Sequence, residues 1–472
     1  MPDSSTPIVR ANITRRPIDI AWASAAFLIP LILTLQTRLG TIDLTYHLRA
    51  GESILTLRSI PSFDTYTFTI RGLPWLDQQW GAQVLLAFVY RLGGFDLLYL
   101  FRALLPAVGF SFVYLACRAR GAPPRTSATL SLLGTLVAVP TIALRPQLVA
   151  LPFFAMTLWA LASRGEHPRR IWLLPPAAFL VANLHGSFVL FPLIAGLALV
   201  EDSVRRRGVA RDLVPVTVMT FLATLATPFG PRAWVYAYDL STNPVIRDTI
   251  SEWEPVTLPN VIGVFTIGSM LAIGAVLARR GERATWADLL WLVIFASMAL
   301  VAIRGIVWWT LVAPVTVAAL FAAPTTTRHK KENPVPAVAI VGILAIAAFI
   351  FLPWIRPGGV LLDAPPGISR AVGRLPAGSR LFVHQPWASW LEFAYPDHLF
   401  YSDSRIEIFP REIWEDYSEV AFAGAGWQRV LARWQPDAIA AEDEWELIPY
   451  LRDDPAWRVA YEDDDGVLFV RA

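Results

Sequence analysis

Residues 18–54 read "IDIAWASAAFLIPLILTLQTRLGTIDLTYHLRAGESI". After Asp19 there is no charge until Arg38. A helix rises about 1.5 Å per residue, so a run of this kind crosses the ~30 Å hydrocarbon core of a bilayer. No small-residue cleavage pattern follows, so the run reads as a retained helix and not a removed signal. The chain then changes character: Asp43, His47, Arg49 and Glu52 fall within one short segment. An acid and an imidazole are therefore set where the chain leaves the apolar phase. If residues 43–57 are helical, the four-residue spacing puts Asp43 and His47 on one face.

Comparable apolar runs recur at roughly 95–117, 126–144, 147–163, 171–185, 187–201, 212–228, 259–278, 286–303, 305–323 and 335–354. Of the 472 residues 55% are hydrophobic and 17% charged, with mean hydropathy +0.47, too little polar surface for a soluble chain of this length. The reading is an α-helical polytopic membrane protein with about 11 transmembrane helices. A net charge of +2 gives no basis for a nucleic-acid partner. The single cysteine, Cys117, excludes an internal disulfide framework. The basic residues are nearly all Arg, with Lys only at 330 and 331, a bias that fits a GC-rich bacterial genome.

Every second connection is basic. Arg10, Arg15 and Arg16 precede the first run. Later come "RARGAPPR" (118–125), "SRGEHPRR" (163–170), "EDSVRRRGVAR" (201–211), "ARRGER" (278–283) and "TRHKK" (327–331). The positive-inside rule assigns these to the cytoplasm, with the amino end inside and the carboxyl end outside. The opposite connections are a long first loop at 37–94, the segments near 145, 185 and 304, and a loop at 227–260. They carry Asp43, His47, Asp64, Asp77, Arg145, Gln147, Asn183, His185, Glu252 and Arg304. Polar groups at membrane depth are costly and usually face a cavity, so one site at the outer end is expected. Beyond about residue 359 no spanning run remains. Short strands at 380–384, 398–402, 437–441, 457–461 and 467–471 alternate with helices at 410–421 and 426–434, a small extracytoplasmic α/β domain. The division is 1–358 and 359–472. "DDDG" at 463–466 reads as a hairpin turn, or else as a cation site.

Most candidates have both a structural and a chemical reading. Asp43 is a helix N-cap or a reactive acid. Trp75 and Trp80 are interfacial anchors. Arg145 and Arg304 snorkel, or bind phosphate oxygens with the planar guanidinium fork. His185, in "NLHG", satisfies helix ends, orients a phosphate or donates a proton. Glu252 sits in a loop long enough to be functional. The aromatic "WASWLEFAYPDHLFY" (387–401) is a partner surface or the core of the small domain.

The segment "DLTYHLRAGESILTLRSIPSFDTYTFTIRGLPWLDQQW" (43–80), with "NLHG", "EW" and the late "YSDSR", resembles a bacterial branch of the GT-C superfamily of integral-membrane glycosyltransferases. Tyr46 stands where Trp is commoner in that branch, and the first loop lacks the adjacent pair of acids of several relatives. The resemblance implies a transferase, hexosyl or pentosyl, acting at the outer face of the plasma membrane. It would use a polyprenyl-phosphate-sugar donor and a glycan, lipid or protein acceptor. It implies Asp43 as general base with inversion at the anomeric carbon. It implies Arg145, His185 and Arg304 around the leaving phosphate, and His47, Asp64 and Glu252 as further binding residues. A divalent cation held by Asp43, Asp64 and Glu252 is left open. A lipid or solute transporter and a non-catalytic envelope-assembly scaffold are the alternatives; a transporter would place ionisable residues near the midplane and show an internal repeat.

Overall fold

The computed structural model describes residues 17–323, 334–355 and 359–472. Arg10, Arg15, Arg16, Arg328, Lys330, Lys331 and the division at 358 lie outside the described residues. The helices are α1 (Pro17–Leu35), α2 (Leu44–Leu57), α3 (Trp80–Ala119), α4 (Pro124–Ala138), α5 (Pro146–Ala162), α6 (Leu174–Ala182), α7 (Leu190–Val204), α8 (Ala210–Thr224), α9 (Arg232–Thr242) and α10 (Pro244–Thr249). They continue with α11 (Val261–Arg280), α12 (Trp286–Val301), α13 (Ile306–Ala318), α14 (Val335–Ile350), α15 (Pro366–Val372), α16 (Gln385–Ala394), α17 (Arg411–Ala421), α18 (Trp427–Trp434) and α19 (Ile448–Asp453). Each expected span contains a helix. Among the described residues, by length and composition and with adjoining 3-10 turns included, five are able to cross a membrane: Pro17–Leu35, Trp80–Ala119, Gly186–Val204, Val261–Arg283 and Ile303–Phe321. Three shorter apolar helices, α5, α12 and α14, accompany them.

The bundle has two chemically different ends. α5 begins just after Arg145 and ends just before Arg164, and its 17 residues separate the two by about 25 Å. At the Arg164 end, the arginines of the basic connections are matched by acids. Arg164 pairs with Glu201 and Asp202 at 2.8 Å, and Arg120 pairs with Asp288. Asp288 also closes a capping box with Thr285 at the start of α12. The candidate residues Asp43, Arg145, His185, Glu252 and Arg304 belong to connections at the other end.

The first loop is shorter than 37–94. α2 occupies 44–57 as expected, but helix resumes at Trp80 and runs on to Ala119. It bends at Gly93 and at Gly94, whose φ of +60° glycine adopts without strain. The apolar run 80–92 was hidden because "RLGG" reads as a loop and not as a bend. α2 lies against α3 so closely that a side-chain carbon on Gly51 would meet the Gln83 carbonyl at 2.1 Å.

The carboxyl-terminal part contains the strands β3 (Arg380–Val383), β4 (Leu399–Phe400), β5 (Ala438–Glu442), β6 (Trp457–Asp463) and β7 (Gly466–Arg471), after a short β1–β2 pair (Leu39–Gly40 with Leu361–Leu362). The sheet order is β4-β3-β5-β7-β6. β3 pairs in parallel with β4 and β5, while β7 runs antiparallel to β5 and β6. All five strand expectations and both helices fall on observed elements. The "DDDG" stretch is the turn of the β6–β7 hairpin, where Asp463 pairs with Gly466. Phe382, Ile439 and Phe469 fill one side of the sheet, and Leu381, Ala440 and Leu468 the other. The aromatic stretch 387–401 turns inward. Trp390 and Phe393 of α16 pack on Phe95 of α3, and Phe393 also meets Tyr90.

One guanidinium ties this part to the first loop. Arg405 is fully buried. It donates to both oxygens of Asp403 and, at 2.5 Å, to Oδ1 of Asp64, and it lies over the rings of Tyr66 (4.7 Å) and Trp75 (4.6 Å), which meet edge to face. Trp75 is thus the lid of a buried cation, not an interfacial anchor. Trp80 donates to Asn183 Oδ1 at 3.2 Å and joins α3 to the 183–185 connection.

Removing one partner of a buried, hydrogen-bonded charge cluster leaves the others desolvated and uncompensated. Arg405→Met is expected to lower stability by about 3–5 kcal/mol, read as a fall in the thermal midpoint of the detergent-solubilised chain. Adding Asp403→Asn to that variant should recover part of the loss; no recovery would contradict the charge origin of the effect.

Candidate active site

Asp43 occupies the N-cap position of α2, yet its side chain makes no capping hydrogen bond. Oδ2 forms instead an ion pair with Nε of Arg145 at 2.6 Å. The local reason is Pro146. A residue before proline is pushed to extended backbone, and Arg145 has φ −130° and ψ 165°. Arg145 also donates through Nη1 to Oε1 of Glu252, so one guanidinium bridges two carboxylates from segments 209 positions apart (252 − 43). Burial pushes the Asp43 carboxyl above its ordinary range, and the attraction of Arg145 opposes that push.

Arg304 lies in the 3-10 turn Ile303–Gly305 before α13. Gly305 permits that turn to press on α12, since a side-chain carbon there would meet the Met298 carbonyl at 2.2 Å. Gln147 Nε2 donates to the Arg304 carbonyl at 3.0 Å, and Ile303 N donates to the Glu254 carbonyl at 3.1 Å. The Arg304 guanidinium lies over the Trp253 ring at 4.6 Å. Among the described residues no carboxylate pairs with it. Arg145, Gln147, Glu252 and Arg304 line a cavity of ≈ 280 Å³, with apolar walls from Ile142, Leu148, Ile262 and Val307.

His185 caps the 3-10 turn Gly186–Val189. Its Nδ1 accepts from Ser187 N at 3.1 Å and lies 2.9 Å from Ser187 Oγ. Nδ1 is therefore the acceptor, which leaves the ring proton on Nε2 as a donor. His47 is buried on α2 with its ring 4.0 Å from that of Tyr46, and its Nδ1 has no partner among the described residues. Burial, with Arg145 and His185 nearby, holds His47 well below the usual imidazole range, so it is neutral.

Asp64 departs from the expected site. Besides Arg405 it accepts from Thr67 N at 3.1 Å and Thr67 Oγ1 at 2.8 Å. Every oxygen is engaged in holding the loop, so it has no free valence for a sugar hydroxyl. Among the described residues no three His, Cys, Asp or Glu side chains gather as a metal centre. Asp43, Asp64 and Glu252 do not form the cation site left open above, because Arg145 takes the place between Asp43 and Glu252 while Asp64 belongs to Arg405.

Three residues reach the site that spacing did not single out as binding groups. Glu407 follows "YSDSR"; burial raises its carboxyl above the ordinary range, and the charge of Asp43 adds to the rise. Tyr236 of α9 donates to Glu407 Oε1 at 3.4 Å. Asp77 is buried, with Oδ1 accepting from Gln83 Nε2 at 2.8 Å. Ser404 Oγ donates to the Ile42 carbonyl at 2.8 Å and seats this carboxyl-terminal loop beside Asp43. The usable signal was the familiar "YSDSR" itself, two residues before Glu407.

Solved membrane glycosyltransferases have this architecture. The oligosaccharyltransferase AglB of Archaeoglobus fulgidus, in complex with an inhibitory peptide and a dolichol-phosphate, superposes with TM-score 0.62 at 13% identity over 91% of this chain and 70% of its own. A second A. fulgidus oligosaccharyltransferase structure, tethered to an acceptor peptide, gives 0.55 at 13% identity, with coverage of 91% and 70%. ArnT of Cupriavidus metallidurans gives 0.54 at 14% identity over 96% of this chain and 98% of its own. The chain has the GT-C fold. No family profile and no curated protein matches it in sequence. In this GT-C fold the carboxylate of Asp43, the cation cavity and the carboxyl-terminal loop meet at one end of the helices.

Burial pushes the Asp77 carboxyl up to about 7, against the lowering effect of the Gln83 hydrogen bond. The folded chain therefore keeps a proton there that the unfolded chain releases near 3.8. The associated stability is complete below that value and is lost as pH rises through about 7. Asp77→Asn should unfold several degrees above the unsubstituted chain at pH 8 and at the same temperature at pH 4, in thermal scans at both values. Equal midpoints at pH 8 would show that Asp77 carries no burial penalty.

Proposed function

We propose that the chain is a membrane glycosyltransferase that moves a sugar from a polyprenyl-phosphate donor to an acceptor at the extracytoplasmic face of the plasma membrane. The observation that carries this reading is the meeting of Asp43, Arg145, Glu252, His185 and Arg304 at the end of the bundle remote from the basic connections, within a fold otherwise found in glycosyltransferases. In this reading residues 1–358 are the membrane part, with about 11 spans and a cytoplasmic amino end. Residues 359–472 are an outer α/β domain.

The chemistry follows from how the polar groups are already engaged. Arg145 holds Oδ2 of Asp43, and no donor among the described residues reaches Oδ1. Oδ1 is the oxygen left to take the proton of an acceptor hydroxyl. That hydroxyl oxygen bonds to the anomeric carbon, the bond from that carbon to the phosphate oxygen breaks, and the phosphate leaves with the electron pair. A single displacement inverts the configuration. Charge gathers on the departing phosphate, which needs preorganised donors. Arg304 fits, because its guanidinium has no carboxylate partner and is steered by Trp253. His185 offers Nε2–H as a neutral donor. Glu252 acts through Arg145, balancing its charge so that Asp43 is not the only acid it serves. The apolar walls of the cavity suit the first isoprene units of the lipid.

The test is turnover in proteoliposomes with a panel of polyprenyl-phosphate sugars and cell-envelope acceptors. Asp43→Asn should cut transfer by about 10²–10⁴-fold with little change in lipid-phosphate binding. Arg304→Gln should cut it by about 10²–10³-fold and weaken binding of the lipid phosphate as well. Undiminished turnover in Asp43→Asn would remove that residue from the reaction.

A further inference from the structure

The carboxyl-terminal part rests on α2 through one face of α16. Ser389 Oγ donates to Ser404 Oγ at 2.9 Å, and Ser404 Oγ holds the Ile42 carbonyl just before Asp43. Three positions further along α16, on the same face, stands Glu392. It is fully buried, and neither carboxyl oxygen has a hydrogen-bond partner among the described residues. Its ion pair with Arg49 of α2 is long, 4.0 Å from Nη1 to Oε2, beyond hydrogen-bond reach. Arg49 is held elsewhere: Nη2 donates to the Pro396 carbonyl at 3.1 Å, and the guanidinium lies 4.2 Å over the Tyr66 ring. Arg405 lies over the same ring and is bound to Asp64 and Asp403. Two guanidiniums thus share this seam with three carboxyl groups. The remaining neighbours of α16 bring no further charge to it. α3 presents Phe95 and Tyr90, and α15 presents Ser369, which accepts from Trp390. Glu52 of α2 is taken by Arg91 at an exposed edge.

We propose that Glu392 is a proton-operated latch between the carboxyl-terminal part and α2: neutral, it lets α16 seat on the helix that begins at Asp43; ionised, it draws water into the seam and loosens it. The charge count favours this direction. With Glu392 neutral, two cations balance two acids; with it ionised, a negative charge is left over where the dielectric is low. A buried carboxylate with no donor is hydrated or expelled, whereas a neutral carboxyl is far cheaper to keep. Burial pushes this carboxyl well above the usual glutamate range; Asp403 and Asp64 add to the push, and Arg49 and Arg405 oppose it. The stability of the closed seam is therefore complete below the ordinary value of 4.5 and is lost as pH rises through the higher one. Glu392 acts on Asp43 only by seating α2, so it is a positioning residue. The inference stands apart from the transferase reading.

The experiment is backbone hydrogen–deuterium exchange on the purified full chain in detergent, from pH 5 to pH 9, with labelling times scaled to the intrinsic exchange rate. Protection of residues 44–57 and 385–394 should fall about tenfold or more across that range, while β5 and β7 keep theirs. Glu392→Gln keeps the shape and cannot ionise, so its protection should stay level. Asp77→Asn should leave the fall in place, which separates this proton from the one on Asp77. Protection that stays level with pH in the unsubstituted chain would overturn the inference. Protection that rises would overturn it as well, since ionised Glu392 would then be closing on Arg49. A fall of equal size in Glu392→Gln, a fall abolished in Asp77→Asn, or a fall shared by β5 and β7 would each do the same. The profile of the unsubstituted chain decides the matter even if Glu392→Gln fails to fold. No substrate enters the measurement, so its outcome leaves the donor and acceptor reading untouched.

Discussion

The molecule depends on one buried cation. Arg405 brings a positive charge from the carboxyl-terminal part into a cage of Asp64, Asp403, Tyr66 and Trp75, and three of the cage residues lie in a loop more than three hundred positions away. A guanidinium is weakly hydrated, planar and able to stack, which makes it the cation best suited to such a place. Its neighbours in sequence then have little freedom. Ser404 is hydrogen-bonded to the backbone one residue before Asp43, and Glu407 is carried to the edge of the site. The loop that carries the candidate base and the part that closes over it are positioned by the same side chain.

A second guanidinium acts in the same way at smaller scale. Arg145 spans Asp43 and Glu252, which would otherwise repel each other in a setting of low dielectric. The bridge orients one oxygen of Asp43 and leaves the other open. Arg304 is held near this bridge by backbone hydrogen bonds and by the Trp253 ring, with no acid of its own. Arg145 is thus paired with two carboxylates, while Arg304 has none within ion-pair distance among the described residues. The acids sort likewise: Asp64 is saturated with donors, while Asp77 retains an unbonded oxygen.

Much of this was legible in the chain. The apolar runs located the helices, because in a bilayer the backbone must satisfy its own hydrogen bonds and length alone sets the span. The alternation after 380 located the strands. Where the reading failed, the competing signal was local. Gly93 and Gly94 looked like a loop and proved to be a bend in a continuing helix. Asp43 at the start of a helix offered a cap or a reactive acid; its side chain makes no capping hydrogen bond and pairs with Arg145 instead. The aromatics at 387–401 offered a partner surface or the core of the small domain; Trp387, Leu391 and Phe400 enter that core, while Trp390 and Phe393 cover the bend of α3.

Composition and periodicity by themselves determined that the chain is membrane-embedded and helical, that its carboxyl-terminal part is α/β, and that its candidate site residues collect in alternate connections. These properties follow from hydrophobicity summed over segments, which is additive and local. Only the tertiary structure decided which polar side chains are free. Asp43 and Asp64 are the same residue type in the first loop, and nothing in their flanking sequence shows which of them is held by a full set of donors. Their fates diverge because Arg145 and Arg405 arrive from distant segments, and Coulombic attraction depends on distance in space rather than along the chain.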